Sequence, residues 1–341
     1  MKIHRIGCVF GGFLSLVLSL SAQTFTTLYS FNFGDGANPY AGLVQATNGD
    51  LYGTTVNGAN FCGDYGFGCG TIFKITPSGK LTELHGFCSQ GYGNCTDGAN
   101  PYAGLIQATN GDLYGTASYF GGGNSQSGTV FKITPNGKLT TLHSFDFRDG
   151  AYPEAGLIQA TNGDLYGTTQ WGGPGNCGVG CGTVFKMTAS GKLTSLYPFC
   201  SKIENGVCID GSEPQAGLVE APNGNLYGST YAGGVNNGGT IFKITPKGAL
   251  TTLYSFCSQG GMNCTDGNNP YAGLVRSTDG NFYGTTYAGG ANNGGTVFKI
   301  TPSGALTTLY SFCSQSGCTD GANPYAGWSK PPMGTSTERL P

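Results

Sequence analysis

Charge is what this chain has least of. Only 10 % of its 341 residues are Asp, Glu, Lys or Arg, against about 25 % in ordinary domains. The 16 basic residues do not outnumber the 18 acidic ones, which excludes a nucleic-acid interface built on a basic face. There is no Walker loop, no His-Glu-x-x-His and no nucleophile elbow, so three of the most specific signatures of enzymatic chemistry are missing. Helical periodicity is missing too. Glycine, a poor helix former, supplies 62 residues, which argues against a helix-rich fold. It does not fall at every third position, so collagen is excluded. Disorder is excluded by a composition that is 38 % hydrophobic and 12 % aromatic with a net charge of −2.

The one long apolar stretch is at the start. Lys2 and Arg5 precede the apolar run Ile6 to Leu20, and the small residues Ser19, Ser21 and Ala22 close it. This reads as a secretory signal over residues 1–22, cut near residues 21–23. Cys8 lies inside the run rather than at its end, a poor place for a lipid. No later run approaches the roughly 18 apolar residues a membrane helix needs, so the mature protein is expected to have no transmembrane segment.

The remainder is repetitive. Ala-Gly-Leu occurs at Ala41, Ala103, Ala155, Ala216 and Ala272, and Ala-Gly-Trp at Ala326. Three further phrases keep step with it. Tyr-Gly recurs at Tyr52, Tyr114, Tyr166, Tyr227 and Tyr283; Phe-Lys ends in Lys74, Lys132, Lys186, Lys243 and Lys299; and a Leu-Thr-Thr-Leu-Tyr-Ser-Phe phrase ends at Phe31, Phe87, Phe145, Phe199, Phe256 and Phe312. Spacings of 52 to 62 residues mean stacked supersecondary units.

Each unit reads as four strands, a to d, exemplified by Gly104–Thr109, Asp112–Thr116, Thr129–Thr134 and Leu139–Phe145. Asn110-Gly111 between the first two is a strong hairpin signal, and Pro135-Asn136-Gly137 turns between the last two. Four antiparallel strands repeated in this way predict an all-β fold, a β-propeller of four-stranded blades, with a β-solenoid as the alternative. Five repeats are complete. A spare d strand precedes them (Thr24–Phe31) and a spare a strand follows, so the expectation is a five-bladed ring with extra strands or a ring with a partial sixth blade. The repeat domain spans 23–328, and residues 329–341 read as an irregular tail. Glycines such as Gly42 and Gly53 are expected where inner strands crowd the channel.

The phrases DGANPYAGL, NGDLYGTT, GGTVFKITPSG and LTTLYSF resemble the bacterial tandem-repeat family called GloVer, the choice-of-anchor repeat proteins, over about residues 24–327. The resemblance implies an extracellular or surface-displayed protein with a propeller-like fold. It carries over no catalytic residue.

Twelve cysteines remain after Cys8. They form six close pairs: Cys62/Cys69, Cys88/Cys95, Cys177/Cys181, Cys200/Cys208, Cys257/Cys264 and Cys313/Cys318. Pairs appear where a loop lengthens and vanish where it shortens. This points to local disulfides and an oxidising compartment, rather than to metal ligands, and no cofactor or metal is expected.

In an a-b-c-d blade the d–a and b–c loops share one face, and that face carries every long loop. Aromatics that vary between repeats are the candidate ligand-binding residues: Trp171, Phe61, Tyr65, Tyr119, Phe120, Tyr231 and Tyr287. Tyr40, Tyr102, Tyr152 and Tyr271 lie on the same face, but the Asn-Pro-Tyr phrases that hold Tyr40, Tyr102 and Tyr271 suggest strand-setting and core roles. The recurrent Asp35, Asp97, Asp149, Asp210, Asp266 and Asp320 are expected to make turns, His85 and His143 to stand in for the strand-d tyrosines, and the strand-c lysines to be structural tethers. Gly173-x-Gly175-x-x-Gly178 spells a dinucleotide fingerprint but opens no helix. The expected function is therefore a secreted non-enzymatic propeller binding a glycan or a cell-surface protein. The alternative is a hydrolase or lyase on extracellular polysaccharide, favoured if ionisable groups with shifted pKa converge at the channel mouth.

Overall fold

A computed structural model describes residues 26–59, 68–89, 95–122, 126–258 and 264–325. The signal segment and the tail lie outside them, as do Cys62, Phe61 and Tyr65.

Five four-stranded antiparallel sheets follow one another along the chain. The first is β1 (Val44–Gln45), β2 (Leu51–Thr55), β3 (Thr71–Ile75) and β4 (Leu81–Gly86), hydrogen-bonded in that order. The fold is all-β, a propeller of four-stranded blades. The first strand of each blade is only two residues long, shorter than the sequence suggests, because the Gly and Pro residues before it keep the backbone out of the ladder. A two-stranded hairpin, Ile203–Glu204 with Val207–Cys208, was not anticipated. Its turn is Asn205-Gly206, with φ 49° and 77°, the positive-φ pair that such a hairpin uses.

Register explains the glycine in the Tyr-Gly phrase. Gly53 lies across from Phe73, and a Cβ there would come within 2.7 Å of the Phe73 ring and 2.5 Å of Leu43. The missing side chain thus makes room for an aromatic of the same blade, not for the channel. Channel crowding does apply one step earlier: a Cβ on Gly104 would approach the Gly42 carbonyl oxygen of the preceding repeat to 3.0 Å, and one on Gly217 the Gly156 oxygen to 3.2 Å.

Neighbouring blades are joined by one edge-to-face phenylalanine pair each, fourth strand against the next third strand. The pairs are Phe87–Phe131 and Phe145–Phe185, both 5.4 Å between centroids, Phe199–Phe242 at 5.2 Å and Phe256–Phe298 at 5.3 Å. Such pairs contribute about 0.5–1.5 kcal/mol beyond their buried area. Phe31 packs on Phe73 in the same way, at 5.1 Å. The segment before repeat one therefore takes the place of a fourth strand, and the leading loop of repeat six is bonded to repeat five, where Asn323 Nδ2 donates to the Tyr287 carbonyl at 2.9 Å.

The tethers are visible. Lys74, Lys132 and Lys186 meet Asp50, Asp112 and Asp164 of the first hairpin turn at 3.7, 3.5 and 3.4 Å. In repeats four and five the partner position is Asn225 and Asn281.

Candidate functional site at the axial mouth

The d–a and b–c loops do share a face. Backbone bridges tie them in five successive repeats: Ala37 to Asn57, Ala99 to Tyr119, Ala151 to Trp171, Ser212 to Ala232 and Asn268 to Ala288. The repeated aspartates brace this layer. Each takes a hydrogen bond from the fourth-strand aromatic before it: His85 to Asp97 at 2.8 Å, His143 to Asp149 at 2.6 Å, Tyr197 to Asp210 at 2.6 Å, Tyr254 to Asp266 at 2.8 Å and Tyr310 to Asp320 at 2.6 Å, with Tyr29 on Asp35 completing the set. Backbone N–H groups bond the same carboxylates, as Ser201 does Asp210 at 2.9 Å. They hold the loops.

The residue after each proline has a different fate. In order these are Tyr40, Tyr102, Glu154, Gln215, Tyr271 and Tyr325. The sequence suggested core for the tyrosines, but Tyr40 is 70 % exposed and Tyr325 60 %, while Tyr102 and Tyr271 are half-buried. Tyr40 stacks on Tyr102 at 6.1 Å, and Tyr271 lies 4.0 Å from Tyr325. Tyr102 also senses Glu154 and Tyr325, and Tyr271 senses Glu154 and Tyr102. Groups from repeats two, three, five and six thus lie within electrostatic reach of one another, the arrangement expected of repeats that curve about a common axis.

The b–c aromatics complete the rim. Tyr119 lies 6.4 Å from Tyr102 and 5.2 Å from Tyr152; Tyr231 lies 6.1 Å from Tyr271, and Tyr287 5.7 Å from Tyr325. Of the sequence candidates, Tyr119, Tyr231 and Tyr287 therefore join this cluster. Trp171 holds in repeat three the place of Tyr119 and is half-buried. Phe120 packs against the hydrophobic core. Clefts of about 440 and 460 Å³ lie elsewhere, one against Leu250–Thr252 and one lined by Phe147 and Gly173–Gly180.

Repeats three and four break the pattern. The residue before the proline has a left-handed backbone in all six repeats, with φ between 51° and 57°. It is Asn in four of them, a residue that tolerates this region. Asn100 and Asn269 also donate across to the preceding repeat, to the carbonyls of Val56 at 2.8 Å and Tyr231 at 3.0 Å. Tyr152 and Glu213 keep the strained backbone, at φ 53° and 57°, without an amide to donate. Their backbone keeps the bonds the Asn repeats make: Tyr152 N donates to the Ser127 carbonyl and Glu213 N to the Cys181 carbonyl, each at 2.8 Å, as Asn100 N does to the Cys69 carbonyl at 2.7 Å.

Burial sets the electrostatics. It pushes the Glu154 and Glu213 carboxyls above the ordinary carboxylate range. It also raises Tyr119 and Tyr231, and lifts Tyr102 to about 12 with help from Tyr119 and Glu154. Burial alone accounts for both carboxyl shifts, so neither acid is raised by the other.

Five of the six cysteine pairs are bonded: Cys88–Cys95, Cys177–Cys181, Cys200–Cys208, Cys257–Cys264 and Cys313–Cys318. Cys62 lies outside the described residues. Gly173, Gly175 and Gly178 belong to the loop holding Cys177–Cys181, not to a helix. No described helix is long and apolar enough to cross a membrane.

Residues 12–207 and 180–335 match the Gloeobacter/Verrucomicrobia repeat. The chain belongs to this family. No curated protein matches it. Among solved structures, this repeat protein is similar to virginiamycin B lyase from Staphylococcus aureus, at 17 % identity and a TM-score of 0.51 over 86 % of this chain and 74 % of the lyase. It is similar too to a streptogramin B lyase, at 18 % identity and 0.49 over 83 % and 72 %. An α-L-arabinanase from Penicillium chrysogenum complexed with arabinobiose gives 14 % and 0.47 over 79 % and 80 %. Identities this low speak to fold alone.

Proposed function

We propose that this repeat protein is a non-catalytic, extracellular binding module whose axial mouth takes a neutral saccharide chain. The observation that carries the reading is the ring of post-proline residues, four tyrosines with Glu154 and Gln215. Tyrosine faces stack on the apolar faces of sugar rings, and carboxyl and amide groups bond their hydroxyls. Neither Lys nor Arg is among the rim residues named above, and the two carboxyls disfavour an anionic polymer. The bonded cysteines support an oxidising location.

A glycan array with the oxidised protein tests this. Binding of neutral glycans that weakens about tenfold, or about 1.4 kcal/mol, in Tyr102→Ala supports it. Binding left unchanged in both Tyr102→Ala and Tyr271→Ala defeats it. The alternative, a polysaccharide hydrolase or lyase, rests on the raised Glu154 carboxyl as a general acid. It predicts new chain ends from bound polysaccharide, abolished in Glu154→Gln.

A further inference from the structure

Two disulfides of repeat three are brought together by the fold. The Sγ atoms of Cys177, Cys181, Cys200 and Cys208 all lie within 4.8 Å of one another. The first pair comes from the b–c loop and the second from the loop after the fourth strand, 19 residues further on from Cys181 to Cys200. Repeat one shows the same juxtaposition: Cys69, Cys88 and Cys95 lie within the same distance of one another. The other stapled loops, Cys257–Cys264 and Cys313–Cys318, have no cysteine in the facing b–c loop.

We propose that the four cysteines of repeat three form, when reduced, a tetrathiolate site for a soft divalent cation such as zinc. The geometry suits it. Zinc–sulfur bonds of about 2.3 Å in a tetrahedron set the sulfurs about 3.8 Å apart, within the spread already present. The Cα atoms within the pairs are 5.5 and 4.6 Å apart. Cys181 and Cys200 are fully buried. The backbone around them is fixed independently of the S–S bonds: Cys200 N donates to the Gly211 carbonyl at 3.1 Å, Gly180 N to the Cys177 carbonyl at 2.7 Å and Gly234 N to the Cys208 carbonyl at 2.8 Å. Asn176 Nδ2 adds a bond to the Cys200 carbonyl at 3.1 Å.

The chemistry balances. Each disulfide takes two electrons and two protons from a dithiol, which leaves as its own disulfide. The four thiols then release four protons as their thiolates bind one zinc ion. Oxidised, the same sulfurs are two staples. The cluster is thus a metal site or a double cross-link according to redox state. Because Glu213 N bonds the Cys181 carbonyl, either state supports the same part of the axial rim.

Full mature protein is reduced anaerobically with a phosphine and titrated with cobalt(II). The expected result is sulfur-to-cobalt charge transfer with the strong ligand-field bands of a tetrahedral site, and loss of one equivalent of that signal in Cys200→Ser but not in Cys257→Ser. Equal signal in Cys200→Ser and wild type overturns the proposal, as does absence of thiolate charge transfer. A second readout holds even if reduction loosens the fold. Reduced protein refolded with zinc is alkylated and mapped by mass. Protection of Cys177, Cys181, Cys200 and Cys208 above Cys257 and Cys264 supports the site, and uniform alkylation overturns it.

Discussion

His143 Nε2 and the Asp149 carboxylate meet at 2.6 Å, in the place where the next repeat joins Tyr197 to Asp210 at the same distance. Two different side chains thus answer one requirement: a hydrogen bond from the fourth strand to the loop that follows. Burial alone would raise Asp149, but the His143 hydrogen bond, the Asp146 amide and the charge of His143 together hold it below the usual carboxylate range. A depressed carboxyl adds stability above its unfolded pKa, about 3.9, and loses it as pH falls through the lower folded value. His143→Ala is therefore expected to lose about 1 kcal/mol at pH 6, and to show a shallower acid limb than wild type. His143→Tyr should restore most of the loss. Thermal melts at pH 6 and pH 3 check both.

Tyr152→Asn should stabilise the protein. Asn accepts the left-handed backbone more readily than Tyr, and its amide can make to the preceding repeat the kind of bond that Asn100 makes to Val56. Relief of strain and one hydrogen bond together contribute about 1–2 kcal/mol. The same change removes a ring 5.2 Å from Tyr119, so saccharide affinity should fall while stability rises. A variant that is less stable than wild type in urea would contradict the strain argument.

Glu154→Gln carries a pH signature of opposite sign to that of Asp149. Burial raises the Glu154 carboxyl, so its ionisation opposes folding as pH climbs through the folded pKa. The amide removes that penalty. Melting temperature should exceed wild type at pH 7, and the two should converge below pH about 4, where both states of the acid are neutral. No pH dependence in the difference would mean that Glu154 is not held in a dry environment.

The Cys257–Cys264 staple closes a short loop, its ends seven positions apart in sequence. Replacing both residues with Ser should reduce stability by about 2–3 kcal/mol in the chain-entropy account, measured by urea denaturation of the oxidised proteins. An unchanged midpoint would show that hydrogen bonds such as Ser258 N to Asp266 at 3.0 Å hold the loop unaided.

Much of the fold was legible because each repeat states its turns. Asn110-Gly111 and Pro135-Asn136-Gly137 mark local geometry that needs no partner, and cysteine pairs that come and go with loop length mark local staples. The axial ring was not legible in the same way. Tyr40, Tyr102, Tyr271 and Tyr325 sit beside proline in an apolar phrase, so one repeat by itself suggests burial. Their convergence follows from curvature, a property of several blades together. A signal was nevertheless present where repeats three and four replace Asn-Pro-Tyr with Tyr-Pro-Glu and Glu-Pro-Gln. The juxtaposition of two cysteine pairs in one repeat was hidden for the same reason: loops 19 residues apart in sequence meet only once the blade is folded.

The central claim is that the post-proline residues of distant repeats gather at one axial mouth. Tyr102→Cys combined with Tyr325→Cys, treated with a short bis-thiol-reactive linker while the native disulfides stay intact, tests it most directly. The expected product is an intramolecular bridge between repeats two and six in the monomer, found as a single cross-linked peptide. Single-site labelling only, or bridges solely between molecules, would contradict it.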